Sequence, residues 1–140
     1  MNCDYIILDG IYLVQEGHEL DLHNTFDFKG LEYSVDKREL ALRWEKFTGE
    51  WVKFDSPTAI KIKFIGVSEF RFMPRDTLKP YSEDDCLNVF GYLVDEEWAE
   101  GIVVVDPNQE PDKNWITALE FMSGATIAVR SSTSHAEITA

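Results

Sequence analysis

The stretch FDFKGLEYSVDKRELALRW, residues 26–44, decides the fold. Apolar and polar side chains alternate on both sides of the turn Asp36-Lys37-Arg38, and the alternation changes phase at Lys29-Gly30. Period two predicts strands, because successive side chains of a strand point to opposite faces, and the change of phase predicts a β-bulge. The stretch therefore predicts a hairpin made of one long bent strand and a second strand with one buried face.

The same alternation returns along most of the remaining chain. We predict further strands at residues 60–64, 70–72, 87–94, 102–105, 115–122 and 126–131. Residues 102–105 are apolar throughout, which predicts burial on both faces. About eight strands with little helix predict an all-β fold, either an antiparallel β-sandwich or a partly open barrel. The 140 residues, 1–140, form a single domain in this interpretation.

Three segments leave alternatives or weak ends. Residues 87–94 also fit a helix capped at Ser82 with Asp85 three residues on, but their β-branched and aromatic content and the central Gly91 favour a strand. Residues 5–8 and 11–14, around Asp9-Gly10, fit short edge strands without excluding other structure. The Ser-rich stretch 131–140 is expected to fray.

Acidic side chains dominate the surface charge. The formal net charge is -13, and residues 82–112 hold ten carboxylates with no Lys, Arg or His. Such a field repels nucleic-acid phosphates and anionic membranes and speeds encounter with a basic protein. We therefore expect no nucleic-acid partner, no membrane partner, and a basic protein as the partner class. An exposed strand edge would also allow a homodimer.

Motifs for catalysis, metal binding and cofactor binding are missing from the sequence. His18 and His23 stand five residues apart, whereas a zinc-protease helix needs four. Residues 106–114 resemble the start of a calcium loop, but Pro111 replaces the required glycine and Thr117 the bidentate glutamate. Acidic neighbours raise the pKa of Cys86, which argues against a nucleophilic thiol. We predict no catalytic residues, no metal, no cofactor and no enzyme.

Cysteine usage and the first residues predict a cytoplasmic protein. Cys3 and Cys86 are the two cysteines, so at most one disulfide is available. The stretch MNCDYIILDG has no basic n-region, unlike a signal peptide. The longest purely apolar run, residues 102–105, is far shorter than the roughly 20 residues of a spanning helix.

Two aromatic segments are candidate binding surfaces. The first combines an aromatic ring with carboxylates, a pattern typical of a hot spot for a Lys- or Arg-rich partner. Its residues are Trp98, Asp95, Glu96, Glu97 and Glu100. Packing of Trp98 back onto the sheet is the favoured alternative. Trp51 and Phe54 either cover an open end of the fold, which is favoured, or present a sticky patch; with Trp44 they would line the mouth of a small-molecule site.

Three stretches carry a resemblance: residues 23–44, residues 60–72 with the sequence IKIKFIGVSEFRF, and residues 119–127 with the sequence LEFMSGATI. Together they resemble a group of small bacterial proteins, some of which are classed as immunity proteins of polymorphic toxin systems. The resemblance implies a single antiparallel domain that acts by binding a toxin partner. It carries over no catalytic motif, and the acidic residues 96–100 are additional to it.

Overall fold

The computed structural model describes residues 2–48, 57–94, 101–106 and 108–140. These residues form twelve β-strands and one 3-10 helix, Tyr81–Asp85. The strands are β1 (Asn2–Cys3), β2 (Ile6–Leu8), β3 (Tyr12–Gln15), β4 (His18–Asp21), β5 (Phe26–Ser34), β6 (Glu39–Lys46), β7 (Ala59–Ile65), β8 (Glu69–Met73), β9 (Leu87–Leu93), β10 (Ile116–Phe121), β11 (Thr126–Arg130) and β12 (Thr133–Thr139). The expected all-β class is confirmed. Within its described residues, the structure contains no helical segment of the length and apolar character that a membrane span requires.

The strands form three sheets. Sheet A has the order β1-β12-β7-β6-β5, sheet B the order β2-β3-β4, and sheet C the order β8-β11-β10-β9. Neighbouring strands run antiparallel, apart from the parallel pair β1 and β12. Sheets A and C pack as a sandwich, and sheet B accounts for the strands before residue 25 that the alternation left open.

The predicted hairpin and its bulge are confirmed by β5 and β6. Phe28 lies opposite Trp44 and Gly30 lies opposite Arg43, so Lys29 is the extra residue of the bulge. Gly30 has a φ of 147°, a conformation that favours glycine. The bulge returns the apolar side chains on both sides of it to the same face of sheet A.

The main core fills the space between the sheets. Its largest fully buried side chains are Trp44, Phe26, Phe64, Phe90 and Phe121. Burying an aromatic or aliphatic side chain of this kind stabilises the folded state by roughly 1.5–3 kcal/mol relative to leaving it in water. The alternating apolar positions of the sequence therefore correspond to the interior of the sandwich.

Residues 102–105 do not form the predicted strand. Val103 makes an isolated antiparallel bridge with Tyr92, and Val104 is exposed. The strands buried on both faces are β10, from Ile116 to Leu119, and β11, from Thr126 to Val129. Instead, Ile102 of this run packs on a small cluster on the outer face of sheet C. The cluster is formed by Leu93, Ile116, Ala118 and Ala128.

The strand interpretation of residues 87–94 is confirmed. β9 pairs with β10 from Leu87 to Leu93, and these ladder bonds exclude a helix there. The 3-10 helix ends before β9, with Cys86 already in an extended conformation. Ser82, expected to cap a helix, lies inside that short helix and makes no cap.

The expectation that residues 131–140 fray is wrong. β12 pairs with β7 from Thr133 to Thr139 and with β1 on its other edge. Its small side chains Ser134 and Ala136 are buried, and Ser134 Oγ lies 2.6 Å from the Tyr5 hydroxyl.

The two lateral sides of the sandwich differ. On the side that we name the closed side, sheet B and residues 101–106 lie beside β9, with the Phe90 amide donating to the Gly10 carbonyl at 2.7 Å. On the opposite side, named the open side, β5 and β8 face each other with no strand between them in the described part of the chain. Tyr33 of β5 and Phe70 of β8 stack there, with ring centroids 5.7 Å apart.

Candidate functional site

The binding residues predicted from the sequence lie outside the described residues. They are Trp98, Asp95, Glu96, Glu97, Glu100, Trp51 and Phe54. Trp44, expected to line a mouth together with Trp51 and Phe54, is fully buried and packs against Phe28 with ring centroids 5.1 Å apart. The mouth interpretation of Trp44 is therefore wrong.

A cleft with a volume of about 680 Å³ opens on the closed side. We name it the acidic cleft. β2, β9, residues 104–106 and residues 108–111 supply its walls. Its lining side chains include Tyr5, Ile6, Tyr92, Val104, Asp106 and Glu110. The volume lies in the range of small-molecule and side-chain sites in proteins.

Gly91 allows one wall of the acidic cleft to form. Tyr92 and Val103 exchange two backbone hydrogen bonds, of 2.9 and 2.7 Å, which hold residues 101–106 against β9. A Cβ on Gly91 would collide with the Val103 carbonyl oxygen and lie 2.7 Å from Ile102 Cγ2. The glycine that interrupts the β9 pattern is therefore the point at which the crossing segment makes its closest approach.

Two aspartates shape the other wall. One Asp106 carboxylate oxygen accepts a hydrogen bond from the backbone N–H of Asn108 at 2.9 Å. One Asp112 carboxylate oxygen accepts a hydrogen bond from the backbone N–H of Asn114 at 2.8 Å. Both residues therefore form Asx turns, a common use of aspartate in loops. Among the residues that the structure describes, no group of three His, Cys, Asp or Glu side chains is placed to hold a metal ion.

The chemistry of the acidic cleft favours a cation. Asp106 and Glu110 are its charged residues, and no Lys or Arg lines it in the described part of the chain. Burial, with a smaller contribution from Cys3, raises the pKa of Tyr92 to about 12, so its hydroxyl keeps its proton near neutral pH. A ligand therefore meets two carboxylates and one neutral hydroxyl.

Apolar surface completes the acidic cleft. Ile6 is 46% exposed and Val104 is 45% exposed, and both line it. Large apolar side chains left in water next to a concave surface are typical of binding sites. The site therefore suits a ligand with a cationic head and an apolar body.

His23 and Cys86 lie close together. His23 Nδ1 donates to the Leu87 carbonyl, since a carbonyl oxygen only accepts, and Cys86 Sγ lies 3.5 Å from the same nitrogen. Burial and then the negative charge of Asp85 raise the pKa of the Cys86 thiol. The direction expected from its acidic neighbours is confirmed, and burial, which the sequence did not reveal, is the larger cause.

A second concave surface, the aromatic groove, lies on the open side. Its volume is about 410 Å³, and it combines the buried ring of Phe121 with the exposed rings of Phe72 and Tyr81. The Arg75 guanidinium lies 4.5 Å from the Tyr81 ring centroid, and Arg75 Nε lies 2.9 Å from Asp84. The groove therefore has an apolar floor and an ion pair, Arg75 with Asp84, at its side.

Two neighbouring carboxyl groups at this groove have opposite environments. Hydrogen bonds from Ser123 and then Arg75 lower the pKa of Asp84. Burial and then the charge of Asp27 raise the pKa of Asp85. The charged form of the carboxyl group is therefore less favourable for Asp85 than for Asp84.

Comparison with known proteins finds no family model, no curated protein and no solved structure that matches this chain. The resemblance to immunity proteins therefore remains a prediction.

Sequence reasoning missed both concave surfaces. The acidic cleft joins Ile6, Tyr92 and Val104, which lie far apart along the chain, and no local pattern links them. The one usable signal was Gly91, a glycine within an otherwise regular strand pattern, which indicates that another chain segment approaches closely.

Proposed function

We propose that this protein is an acidic interaction protein that binds a basic segment of a partner protein in the acidic cleft. The observation that carries the proposal is a concave surface in which Asp106 and Glu110 are the charged lining residues and exposed Ile6 and Val104 supply apolar contact. The partner presents Lys or Arg. Its aliphatic stem packs on the apolar pair, and its charged head meets the carboxylates.

Long-range electrostatics support the same partner class. A chain with a net charge of -13 attracts cations from a distance, and a concave low-dielectric surface concentrates the field. The Tyr92 hydroxyl, protonated near neutral pH, adds a hydrogen-bonding group for the partner's backbone or side chain. Charge brings the partner to the acidic cleft, and apolar contact retains it there.

The resemblance to immunity proteins gives the proposal a more specific form. A basic toxin, such as a nuclease, is the partner class that the resemblance implies, and its positive charge is the property that the acidic cleft selects. The protein would then neutralise the toxin by occupying its surface.

The test compares two variants that change the net charge equally. Asp106→Asn with Glu110→Gln removes the charge of the acidic cleft and keeps the Asx-turn acceptor oxygen. Glu32→Gln with Asp36→Asn removes two exposed charges from the β5–β6 turn region. Each pair is used for affinity capture from a lysate of the source cells at about 50 mM and about 500 mM salt.

We expect the wild type and the turn variant to retain the same basic protein at low salt and the cleft variant to lose it. Purified partner then gives the affinity directly, and loss of both lining charges should weaken binding at least tenfold, about 1.4 kcal/mol. Equal capture by the two variants would contradict the proposal, because binding would then follow net charge alone.

A small organic cation is the second candidate, favoured by the volume of the acidic cleft, about 680 Å³. Its discriminating test is thermal unfolding in the presence of a low-molecular-weight ultrafiltrate of the same lysate. A bound small molecule raises the melting temperature by mass action, whereas a protein partner is retained by the filter. Stabilisation by the ultrafiltrate that the cleft variant loses would favour this candidate.

A further inference from the structure

Three exposed aromatic side chains, Tyr33, Phe72 and Tyr81, lie on the open side. Of the seven large apolar side chains that are exposed in the described part of the chain, Ile6 and Val104 line the acidic cleft. Of the other five, Tyr33 stacks on Phe70, and Phe72 and Tyr81 line the aromatic groove. Phe72 is 55% exposed and Tyr81 is 82% exposed. A patch of this kind marks an interaction surface.

The backbone at the open side presents two strand edges. Within the described residues, β5 pairs with β6 alone and β8 pairs with β11 alone. The bulge at Lys29 interrupts the regular ladder of β5, which is a common protection of an edge against pairing. β8 has no bulge in its five-residue register with β11, so β8 is the edge on which another strand can add.

Charge on the open side is balanced, unlike that of the chain as a whole. The groove is lined by the cations Lys29 and Arg75 and by the anions Asp84 and Asp85. On the outer face of β8, Glu69 forms ion pairs with Arg71 and, at 3.5 Å, with Arg130. A second copy of a chain with a net charge of -13 meets the least repulsion where charges are already neutralised.

We propose that two copies of this chain associate through the β8 edge about a two-fold axis, joining two copies of sheet C into one continuous sheet. Antiparallel pairing of identical strands satisfies an isologous interface, in which the same patch is used by both copies. It also covers the exposed edge that would otherwise remain a site for uncontrolled pairing.

The sequence of β8 is self-complementary in this arrangement. A register centred on Phe70 places Phe70 opposite its own counterpart on the inner face and Glu69 opposite Arg71 of the second copy on the outer face. Aromatic pairs and opposite charges directly across an antiparallel ladder both stabilise it. Phe72, on the same face as Phe70, is diagonal to that aromatic pair and loses its exposure to water.

The salt dependence of the dimer is opposite to that of the cleft. Two copies carry -13 each, so screening of their overall repulsion strengthens association as salt rises. Binding of a basic partner in the acidic cleft weakens under the same conditions. The two proposals can therefore fail or succeed independently.

The test is sedimentation of the full chain over a wide concentration range at low and high salt. We expect a monomer–dimer equilibrium whose association constant rises with salt and falls at least tenfold in Phe72→Thr and in Arg71→Glu. Val104→Thr removes a similarly exposed apolar side chain from the closed side and should leave the equilibrium unchanged.

Hydrogen exchange of the wild type supplies a measurement that does not depend on any variant. Amide exchange in β8 should slow as the protein concentration rises, while exchange in β4, an edge strand of sheet B, should not change. A monomer at every concentration and salt overturns the proposal. So does a dimer that is unaffected by both β8 variants and leaves β8 exchange independent of concentration.

Discussion

The closed side and the open side of the sandwich differ in the contacts that close them. On the closed side, sheet B and residues 101–106 lie beside the edge of β9, and a cleft lined by the carboxyl side chains of Asp106 and Glu110 remains there. On the open side, the stacked rings of Tyr33 and Phe70 connect β5 and β8, and the remaining groove is lined by aromatic rings and by two cations and two anions. Backbone hydrogen bonds hold sheet B and residues 101–106 against β9, whereas stacked side chains connect β5 and β8.

This difference separates stability from recognition in a testable way. Side chains that hold the closed side together are buried and contact backbone, so their loss should affect unfolding strongly. Exposed aromatic residues on the open side should contribute little to unfolding and more to association.

Gly91→Ala should have the largest effect. Its Cβ would collide with the Val103 carbonyl, so residues 101–106 must move away from β9, and we expect the free energy of unfolding to fall by about 2–3 kcal/mol. Urea unfolding measures this. Gly17→Ala is the control, because its Cβ meets no atom within 4 Å and only the φ of 85° opposes it, at about 1 kcal/mol. Equal losses would show that the crossing segment does not stabilise the closed side.

Ser134→Ala should lower the free energy of unfolding by about 1–2 kcal/mol, since it leaves the buried Tyr5 hydroxyl without its 2.6 Å partner. Tyr5→Phe alone should have a similar effect. The double variant should lose clearly less than the sum, because both substitutions remove the same hydrogen bond. Additive losses in this double-mutant cycle would mean that the bond does not tie β12 to the closed side.

Phe72→Thr should lower the free energy of unfolding of the monomer by only about 0.5–1 kcal/mol, because more than half of the ring is already in water. Dilute protein at low salt is the appropriate condition for this unfolding measurement. A loss as large as that of Gly91→Ala would break the comparison, since the open side would then be as important for folding as the closed side.

Asp84→Asn and Asp85→Asn should act in opposite directions, each by about 0.5 kcal/mol after allowance for solvent screening. The lowered pKa of Asp84 means that its carboxylate stabilises the fold above the ordinary aspartate pKa and that this is lost as pH falls through the lowered value. The raised pKa of Asp85 means that its charge destabilises the fold near neutral pH. Asp84→Asn should therefore lower the melting temperature at pH 7, and Asp85→Asn should raise it.

Both differences should vanish in acid, once the two carboxyl groups are protonated in the folded and unfolded states. Melting curves at pH 7 and at a pH well below the lowered pKa of Asp84 measure this. A shift of the same sign for both variants at pH 7 would show that net charge, rather than the local partners of each carboxyl group, controls stability at the groove.

The sequence predicted the hairpins whose alternation of apolar and polar residues is visible along the strands themselves. The β5–β6 hairpin and its bulge at Lys29 follow from a period of two and one change of phase, both visible in residues 26–44. The β10–β11 hairpin follows in the same way from the turn at Gly124.

Tertiary context decided the rest. Residues 102–105 have the composition of a buried strand. In the structure the segment crosses the edge strand β9 of sheet C and makes one isolated bridge to it, through Val103. The Ser-rich end looked too polar to be ordered, yet Ser134 is buried because Tyr5 supplies a hydrogen-bond partner from 129 residues away. The acidic cleft depends on the same kind of long-range contact, and therefore no motif revealed it.

The place of β12 in sheet A also bears on how the chain folds. Although β12 follows all the other strands in sequence, it lies in the interior of the sheet, between β1 and β7. Strands β5, β6 and β7 can pair earlier in synthesis, but β1 and one edge of β7 remain without their partner until residues 133–139 have been synthesised. Contacts between residues this distant require closure of large loops, which slows all-β domains to the millisecond-to-second range. During that interval β7 presents an unpaired apolar edge, and this is the stage at which the protein most needs protection from aggregation.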